Sequence, residues 1–403
     1  MSSSVGWVVL DEQHQRDVLN TLALLHEPGT IDELGLGAVR DALSNLLFPG
    51  TSVLYTRAKY LLFVPWIYDE VIGSGMWGAH AVAEVRRREV QLIDALLREE
   101  ARLRGDDPSV VVSGIIGREA RGSLKTMPSS IYWAGLRRFG ILNREAVLNN
   151  CLRTRSRPSH SRVRLSRDED GNLAADTGAW YDLPHHEDFS RHASFDVTAA
   201  QARYLRERIR ATATATMLDW LLDQDPADLV ARDAPWTHPQ VAELPSGLAA
   251  QVEMARWFSQ LARGATLLYN LMLAQMSPFL TPDDGAMALS DEVADWHEGF
   301  LAGAAHTPGD LWRVVRPDRL RASTVAFVQQ WFACASASTS LATSQSARDL
   351  LKGRERRLKG GRAKLTNPKL LEGWTTPSHV GAMTFRWPVV CTVVGDIGRG
   401  LGT

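Results

Sequence analysis

The sequence has few cysteines, almost no net charge and no long apolar run. Each of these three features excludes a class of protein. The three cysteines lie at positions 151, 334 and 391, too far apart for a Cys-x-x-Cys zinc pair or a disulfide framework. A formal net charge of −1 provides no chain-wide attraction for nucleic acid, so any such attraction must be local. No apolar run approaches the roughly 20 residues that span a bilayer, and the N-terminus has no signal pattern. We therefore expect a cytoplasmic protein with no membrane partner.

Sequence signatures of catalysis are also missing. The chain contains no Walker lysine motif, no Gly-x-Ser-x-Gly elbow and no Cys–His signature. Residues 73–78 fit Gly-x-Gly-x-x-Gly, but the segment before them is typical of a helix, so they predict a hinge and not a dinucleotide site. The histidines and acids of residues 185–192 lack a His-Glu-x-x-His helix and favour a polar loop over a metal site. We predict no metal, no cofactor and no intrinsic catalytic activity.

The chain is organised around residues 32–69, which predict two core helices. Val39, Leu43 and Leu47 share one face at helical spacing and indicate a helix over residues 36–47, which Pro49 and the following glycine end. A second helix begins near Thr56. Its residues 60–68 are apolar on nearly every side, which predicts burial all round.

The rest of the sequence predicts further helices and therefore a mainly α, multi-helical fold. The helix expected over residues 79–103 places Val85, Leu92 and Leu96 inward and carries Glu99 and Glu100 on its charged face. Later helices are expected over residues 198–223, starting at a Thr–Gln capping box, and over 246–276 and 291–304. Residues 319–358 hold one long helix or two. The chain ends with an apolar stretch over residues 387–397 and a glycine-rich tail.

Residues 107–190 indicate a small α+β insert. Short helices are expected over residues 107–116 and 128–139, followed by a basic ribbon. This order is typical of a winged helix, in which residues 128–139 would be the recognition helix, and an ordinary helical hairpin is the alternative. We accordingly divide the chain into an N-terminal helical core over residues 1–106, a winged-helix or β-ribbon region over 107–190, and a C-terminal helical domain over 191–403.

The strongest chemical signal is the concentration of arginine near this insert. Residues 153–167 contain six arginines and no acid, and arginine's planar fork suits phosphate oxygens. The predicted nucleic-acid-binding residues are Arg137, Arg138, Arg153, Arg155, Arg157, Arg162, Arg164 and Arg167. Residues 348–364 form a second cluster, with eight basic residues against two acidic ones. A solvated charged surface is the alternative for both clusters.

Three acids near the core stretch are candidates for general acid–base chemistry. They are Asp41, Asp69 and Glu70. A carboxylate paired with Arg40 or Arg57 would serve the structure more often than catalysis, because ion-pair networks also perturb carboxylates. The sequence therefore leaves a hydrolase or nuclease with an unrecognised carboxylate site as an alternative to a binding protein.

Seven stretches carry distinctive motifs, among them Glu-Leu-Gly-Leu-Gly-Ala-Val-Arg-Asp-Ala, Thr-Arg-Ala-Lys-Tyr and Gly-Asp-Ile-Gly-Arg-Gly-Leu, at residues 33–42, 47–52, 56–68, 128–136, 194–198, 385–390 and 395–401. Together they resemble a bacterial family of unknown function whose genes lie among helicase-like and nuclease-like genes of mobile-element defence. The resemblance implies a context of anti-phage or anti-plasmid defence and no particular activity. Because signatures of catalysis are missing, we expect a non-enzymatic component of such a system. Its partners would be DNA or RNA, or a helicase or nuclease of the same system. A pure protein–protein scaffold for a helicase is the further alternative.

Overall fold

The computed structural model describes most of the chain after residue 31. The described residues are 32–105, 107, 109, 111–143, 152, 165–167, 173–175, 179–185, 193–229, 234–277, 286–303, 305–372, 374 and 381–402. For residues 165–167 and 173–175 only the backbone is described. Residues 1–31 of the predicted N-terminal helical core, and most of the histidine-rich segment 185–192, lie outside this part.

The fold is mainly α, as predicted. The helices are α1 Gly37–Leu47, α2 Tyr60–Gly73, α3 Gly78–Arg104, α4 Pro128–Arg138, α5 Ala199–Ala213, α6 Met217–Leu221, α7 Ser246–Met276, α8 Met287–Ala302, α9 Pro308–Val314, α10 Ala322–Ala337, α11 Gln345–Lys359 and α12 Trp387–Leu401. Short 3₁₀ turns occupy Arg121–Ser123, Pro226–Leu229, Pro235–Thr237, Val241–Glu243, Pro317–Arg319, Gly360–Arg362, Lys364–Thr366 and Pro368–Leu371. Two short strands, β1 Leu165–Arg167 and β2 Leu173–Ala175, pair antiparallel with Ser166 opposite Ala174.

Most of the helices expected from apolar periodicity are confirmed. Helix α7 has the predicted bounds, and residues 319–358 contain two helices, α10 and α11. The side chains of Leu61, Leu62 and Ile67 on α2 are fully buried, in agreement with the apolar surface of that helix. Residues 73–78 connect two helices, since α2 ends at the first glycine and α3 begins at the last, so the strand needed for a dinucleotide site does not precede them.

The prediction of a helix over residues 107–116 was wrong. Residues 111–116 form turns, and Gly114 has a φ of +91°, which an α-helix does not accommodate. A side chain on Gly114 would also collide with Arg57, since an added Cβ would lie 2.7 Å from its Cγ atom. The segment therefore serves as a close-packed turn.

The helix expected over residues 198–223 is interrupted. Its Thr198–Gln201 capping box is present, but α5 ends at Ala213. Ala215 has a φ of +60°, and the hydroxyl of Thr216 accepts a hydrogen bond from the Asp219 amide to start α6. A local cap thus competes successfully with continuation of the helix.

The sequence analysis assigned no helix to the apolar stretch and glycine-rich tail at the end of the chain, but together they form α12. The glycines allow close packing there: a Cβ on Gly398 would lie 2.4 Å from Pro226 Cγ, and one on Gly400 would lie 2.5 Å from the Val197 carbonyl oxygen. The packing benefit outweighs the low helix propensity of glycine.

The chain divides into two compact units. The first contains Met1–Leu47 and Arg232–Trp387. Within it, the long helix α7 packs against α1, α8, α9 and α11. Its interior is dominated by apolar and aromatic side chains, and the indole of Trp331 on α10 donates to the Leu261 carbonyl of α7 at 2.9 Å.

The second unit contains Phe48–Ala231 and Pro388–Thr403. Within it, α2 packs against α3 and α4. An antiparallel bridge joins Leu142, just after α4, to Trp180, and the strands β1 and β2 lie between these two positions in sequence. The three-part division by residue number stays a prediction.

Candidate nucleic-acid interface

The interior of the second unit contains a buried ion pair between Arg57 and Asp396. Arg57 donates from Nε to Oδ2 and from Nη2 to Oδ1, both at 2.9 Å. The same carboxylate accepts the Ala58 amide at 2.9 Å and Arg399 Nη2 at 2.5 Å. Asp396 is only 3% exposed, and a buried charge is costly unless it is paired. Here donors from two distant parts of the chain compensate it.

Tyr132 holds the backbone next to this ion pair. Its hydroxyl accepts the amides of Thr56 and Arg57 at 2.9 and 3.1 Å and donates to the Arg57 carbonyl at 2.9 Å. Burial raises the pKa of the Tyr132 phenol to about 12, so it remains a donor at neutral pH. The guanidinium of Arg57 also lies 4.6 Å from the centre of the Phe195 ring.

Lys59 joins the same interior to the start of α5. Its Nζ donates to Gln201 Oε1 at 2.6 Å and to the carbonyl oxygen of Asp196. Burial lowers the pKa of Lys59 to about 8. Four of the motifs that carry the family resemblance thus meet in one place, although they are far apart in sequence.

The polar groups of this interior are engaged with one another. Asp396 accepts from three separate donors, and the Tyr132 hydroxyl both donates and accepts. An arrangement of this kind fixes the relative positions of α2, α4, α5 and α12. We therefore assign the Arg57–Asp396 interior a structural role.

Two of the three acids proposed from sequence have separate partners. Asp41 accepts from Arg40 Nε at 3.1 Å, and Glu70 forms an ion pair with Arg88. Asp69 is exposed. Asp396, which sequence periodicity did not single out, is the carboxylate that pairs with Arg57.

Sequence reasoning also missed two buried carboxylates of α3. Glu100, expected on the charged face of the helix, is 4% exposed and accepts from Arg118 and from the Val112 amide. Its pKa is lowered to about 2, chiefly by the hydrogen bonds from Arg118. Glu89 is 2% exposed and accepts the Ser129 amide at 2.7 Å at the start of α4. Burial raises the pKa of Glu89 to about 7.

In the first unit, a buried arginine fixes α11. Arg354 is 2% exposed and donates to the carbonyl oxygens of Leu34 and Gly35 at 2.8 and 3.2 Å and to Thr324 Oγ1 at 3.0 Å. Gly35 has a φ of +66°, and a Cβ there would lie 2.7 Å from Arg354 Nη2. Burial lowers the pKa of Arg354. The charge of Asp32 acts in the opposite direction, and the charges of Arg357 and Arg321 lower the pKa further.

The outer face of this helix and the turns after it form an exposed basic surface. We call it the α11 basic surface, and it consists of Lys352, Arg356, Arg357, Arg362 and Lys369. Within the described part of the chain, none of these five side chains forms an ion pair or a hydrogen bond. The acid on α11 next to Arg354, Glu355, is instead fully buried and accepts the Tyr269 hydroxyl at 2.6 Å and the amides of Lys364 and Leu365 at 2.9 Å.

The predicted arginines of the insert are only partly placed. Arg137 and Arg138 are exposed and end α4. Arg167 ends strand β1, with only its backbone described. The other predicted arginines, Arg153, Arg155, Arg157, Arg162 and Arg164, lie outside the described residues.

The described residues also bear on two other kinds of site. No group of three or more His, Cys, Asp or Glu side chains in this part of the chain is placed to hold a metal ion. Across the same residues, no helix combines the length and apolar character needed to cross a bilayer.

Comparison with known proteins places the chain in a family. The model of a family of unknown function, DUF6361, matches residues 1–400. The chain belongs to this family. No curated protein and no solved structure matches it.

Proposed function

We propose that this DUF6361 protein is a cytoplasmic, non-enzymatic component that binds the phosphate backbone of nucleic acid. The observation that carries the proposal is the α11 basic surface, where five exposed cations have no acidic partner among the described residues. Because the whole chain has a formal charge of −1, these cations are a local excess and not a general bias. Phosphate oxygens are the ligands that such a surface would attract without regard to base sequence.

The interior beneath this surface supports the same proposal. Arg354 is a buried cation whose hydrogen-bond acceptors are carbonyl and hydroxyl oxygens, so its charge, opposed in part by Asp32, adds to the field above α11. The mutual repulsion with Arg357 and Arg321 contributes to the lowered pKa of Arg354. A phosphate bound near Arg357 would relieve that repulsion.

The insert supplies a second candidate surface. Helix α4 ends with two exposed arginines, and an antiparallel bridge between Leu142 and Trp180 follows it. A helix followed by a ribbon is the order that a winged helix requires. The helix predicted over residues 107–116, which would precede them in a winged helix, is not formed. We propose that the arginines of residues 153–167 extend this surface, and that the motifs' resemblance to defence-associated genes reflects a role in an anti-phage or anti-plasmid assembly.

The decisive experiment is binding across a salt series. Fluorescence anisotropy should give a log–log salt slope of about −3 to −4 on duplex DNA if about four phosphates are neutralised, and a slope of about −3 on single-stranded DNA and RNA. Changing Lys352, Arg356, Arg357 and Arg362 together to Ala should flatten this slope. The same measurement on the Arg155, Arg157, Arg162 and Arg164 to Ala variant tests the ribbon separately.

A control variant that loses the same number of positive charges shows whether the position of these charges matters or only their number. Arg87, Arg102, Arg313 and Arg316 are exposed but each forms an ion pair with a nearby acid. Changing these four to Ala should leave the salt slope nearly unchanged. Absence of salt-sensitive binding by the wild-type protein to every probe would contradict the proposal and leave the scaffold interpretation in first place.

A further inference from the structure

One exposed aromatic ring in the second unit is unusually well fixed. Residues 179–181 run antiparallel to residues 141–143, with the Tyr181 amide donating to the Ile141 carbonyl at 3.0 Å. Successive side chains of an extended segment point to opposite sides. Trp180 is accordingly 6% exposed and Tyr181 46% exposed. Among the described residues, Tyr181 is the only Phe, Tyr or Trp whose side chain is exposed and not buried or half-buried.

Helix α5 supports this ring with two side chains one turn apart. The hydroxyl of Tyr204 donates to the Tyr181 carbonyl at 2.6 Å. The guanidinium carbon of Arg208 lies 3.9 Å from the centre of the Tyr181 ring, so a planar cation is close to the ring. Arg208 Nε is buried and has no hydrogen-bond partner in the described part of the chain. In this position the guanidinium of Arg208 contacts the Tyr181 ring, while its Nε forms no hydrogen bond with the described residues.

We propose that Tyr181 and Arg208 form a stacking platform for an unpaired nucleotide base. This inference rests on the proposed nucleic-acid binding and names the form of nucleic acid that the second unit would select. Bases stack on tyrosine rings and on arginine planes, and the contact tolerates any base because every base has a π face. In a duplex the base faces are occupied by their neighbours, so the platform would favour single strands.

Two exposed arginines and one exposed acid lie close in sequence to the residues of the platform strand. Arg137 and Arg138 are exposed and stand shortly before Ile141, whose carbonyl pairs with Tyr181. These arginines could meet the phosphates on either side of a stacked base. Asp182 is also exposed and follows the platform directly, so it opposes a phosphate at that position. Asp182→Asn should therefore tighten single-strand binding.

The test uses two strands that carry the same phosphates but differ in their bases. Oligothymidylate presents bases, whereas an abasic deoxyribose-phosphate strand of equal length presents only the backbone. Wild-type protein should prefer oligothymidylate, and Tyr181→Ala should weaken its binding by about 5- to 150-fold while leaving abasic binding unchanged. Tyr181→Phe keeps the ring and should retain the preference. Arg208→Lys keeps the charge without the plane and should reduce it.

The outcomes separate this inference from the proposed function. Equal binding of the two strands by the wild-type protein, or an unchanged preference in a folded Tyr181→Ala variant, would overturn the platform while the phosphate-binding proposal stands. Failure of wild-type protein to bind the abasic strand, the thymidylate strand and duplex DNA would overturn both. Thermal unfolding of each variant shows whether a loss of binding comes from a loss of fold.

Discussion

Arg57 and Asp396 lie 339 positions apart in the chain and form a two-pronged ion pair in which both N–O distances are 2.9 Å. The carboxylate side chain is 1% exposed and that of the arginine 16% exposed. Breaking a buried ion pair by removing one partner is strongly destabilising, because the other charge remains without compensation. This relationship ties the start of α2 to the C-terminal helix α12.

We predict that Asp396→Asn lowers the free energy of unfolding by about 3 kcal/mol. The reason is that Arg57 would lose its counter-charge in a mostly buried position. Urea denaturation followed by circular dichroism measures the change. Arg399→Ala is the matched control, since Arg399 contacts the same carboxylate but its side chain is 63% exposed, and it should cost less than about 1 kcal/mol. Equal stabilities of Asp396→Asn and wild type would contradict the structural role of this pair.

A second prediction concerns the pH dependence of stability that Glu89 produces. Its pKa is raised from 4.5 to about 7 by burial, so the folded state holds this proton more tightly than the unfolded state. The contribution of Glu89 is therefore complete below about pH 4.5 and is lost as pH rises through about 7, with a total of roughly 3 kcal/mol.

The measurement is a comparison of wild type with Glu89→Gln from pH 5 to 8. Because glutamine carries no charge at any of these values, the stability of the variant relative to wild type should increase with pH in this window. The amide oxygen of glutamine can still accept the Ser129 amide, which keeps the start of α4 capped. A difference between the two proteins that stays constant across the window would show that Glu89 does not titrate there.

The third prediction compares two glycines of α12. A Cβ on Gly398 would lie 2.4 Å from Pro226 Cγ, whereas one on Gly395 would meet only the end of the Arg399 side chain at 3.3 Å. Gly398→Ala should destabilise the protein by about 1–3 kcal/mol through overpacking. Gly395→Ala should be neutral or stabilise by up to about 1 kcal/mol, since alanine favours the helix. If thermal unfolding gives both variants the same stability, α12 does not pack as closely against Pro226 as the structure shows.

The fourth prediction addresses the alternative that the protein is a nuclease. Asp41 and Glu70 are engaged with Arg40 and Arg88, and Asp69 is exposed on α2. We expect purified protein to leave single-stranded DNA, duplex DNA and RNA uncleaved with Mg²⁺ or Mn²⁺. Metal-dependent cleavage that disappears in a folded Asp41→Asn or Asp69→Asn variant would establish the enzyme alternative instead.

Local periodicity in the sequence was sufficient to predict most of the helices. Helices α1, α2 and α7 and the capping box at Thr198 were all predictable, because apolar spacing and caps act within a few residues along the chain. The interruption after Ala213 and the helical tail were not predictable in this way. In each case a choice between two acceptable local structures depends on neighbours distant in sequence or on a competing cap.

The sequence by itself therefore determined that this protein is mainly helical and where its basic residues concentrate. Only the tertiary structure decided which charges are exposed and which are paired. Glu355 and Arg354 are neighbours within a basic segment, yet both are buried, while Arg356 and Arg357 beside them are exposed. The tertiary structure also decided that Asp396 meets Arg57 and that Tyr181 meets Arg208, because partners this far apart are selected by packing and not by local spacing.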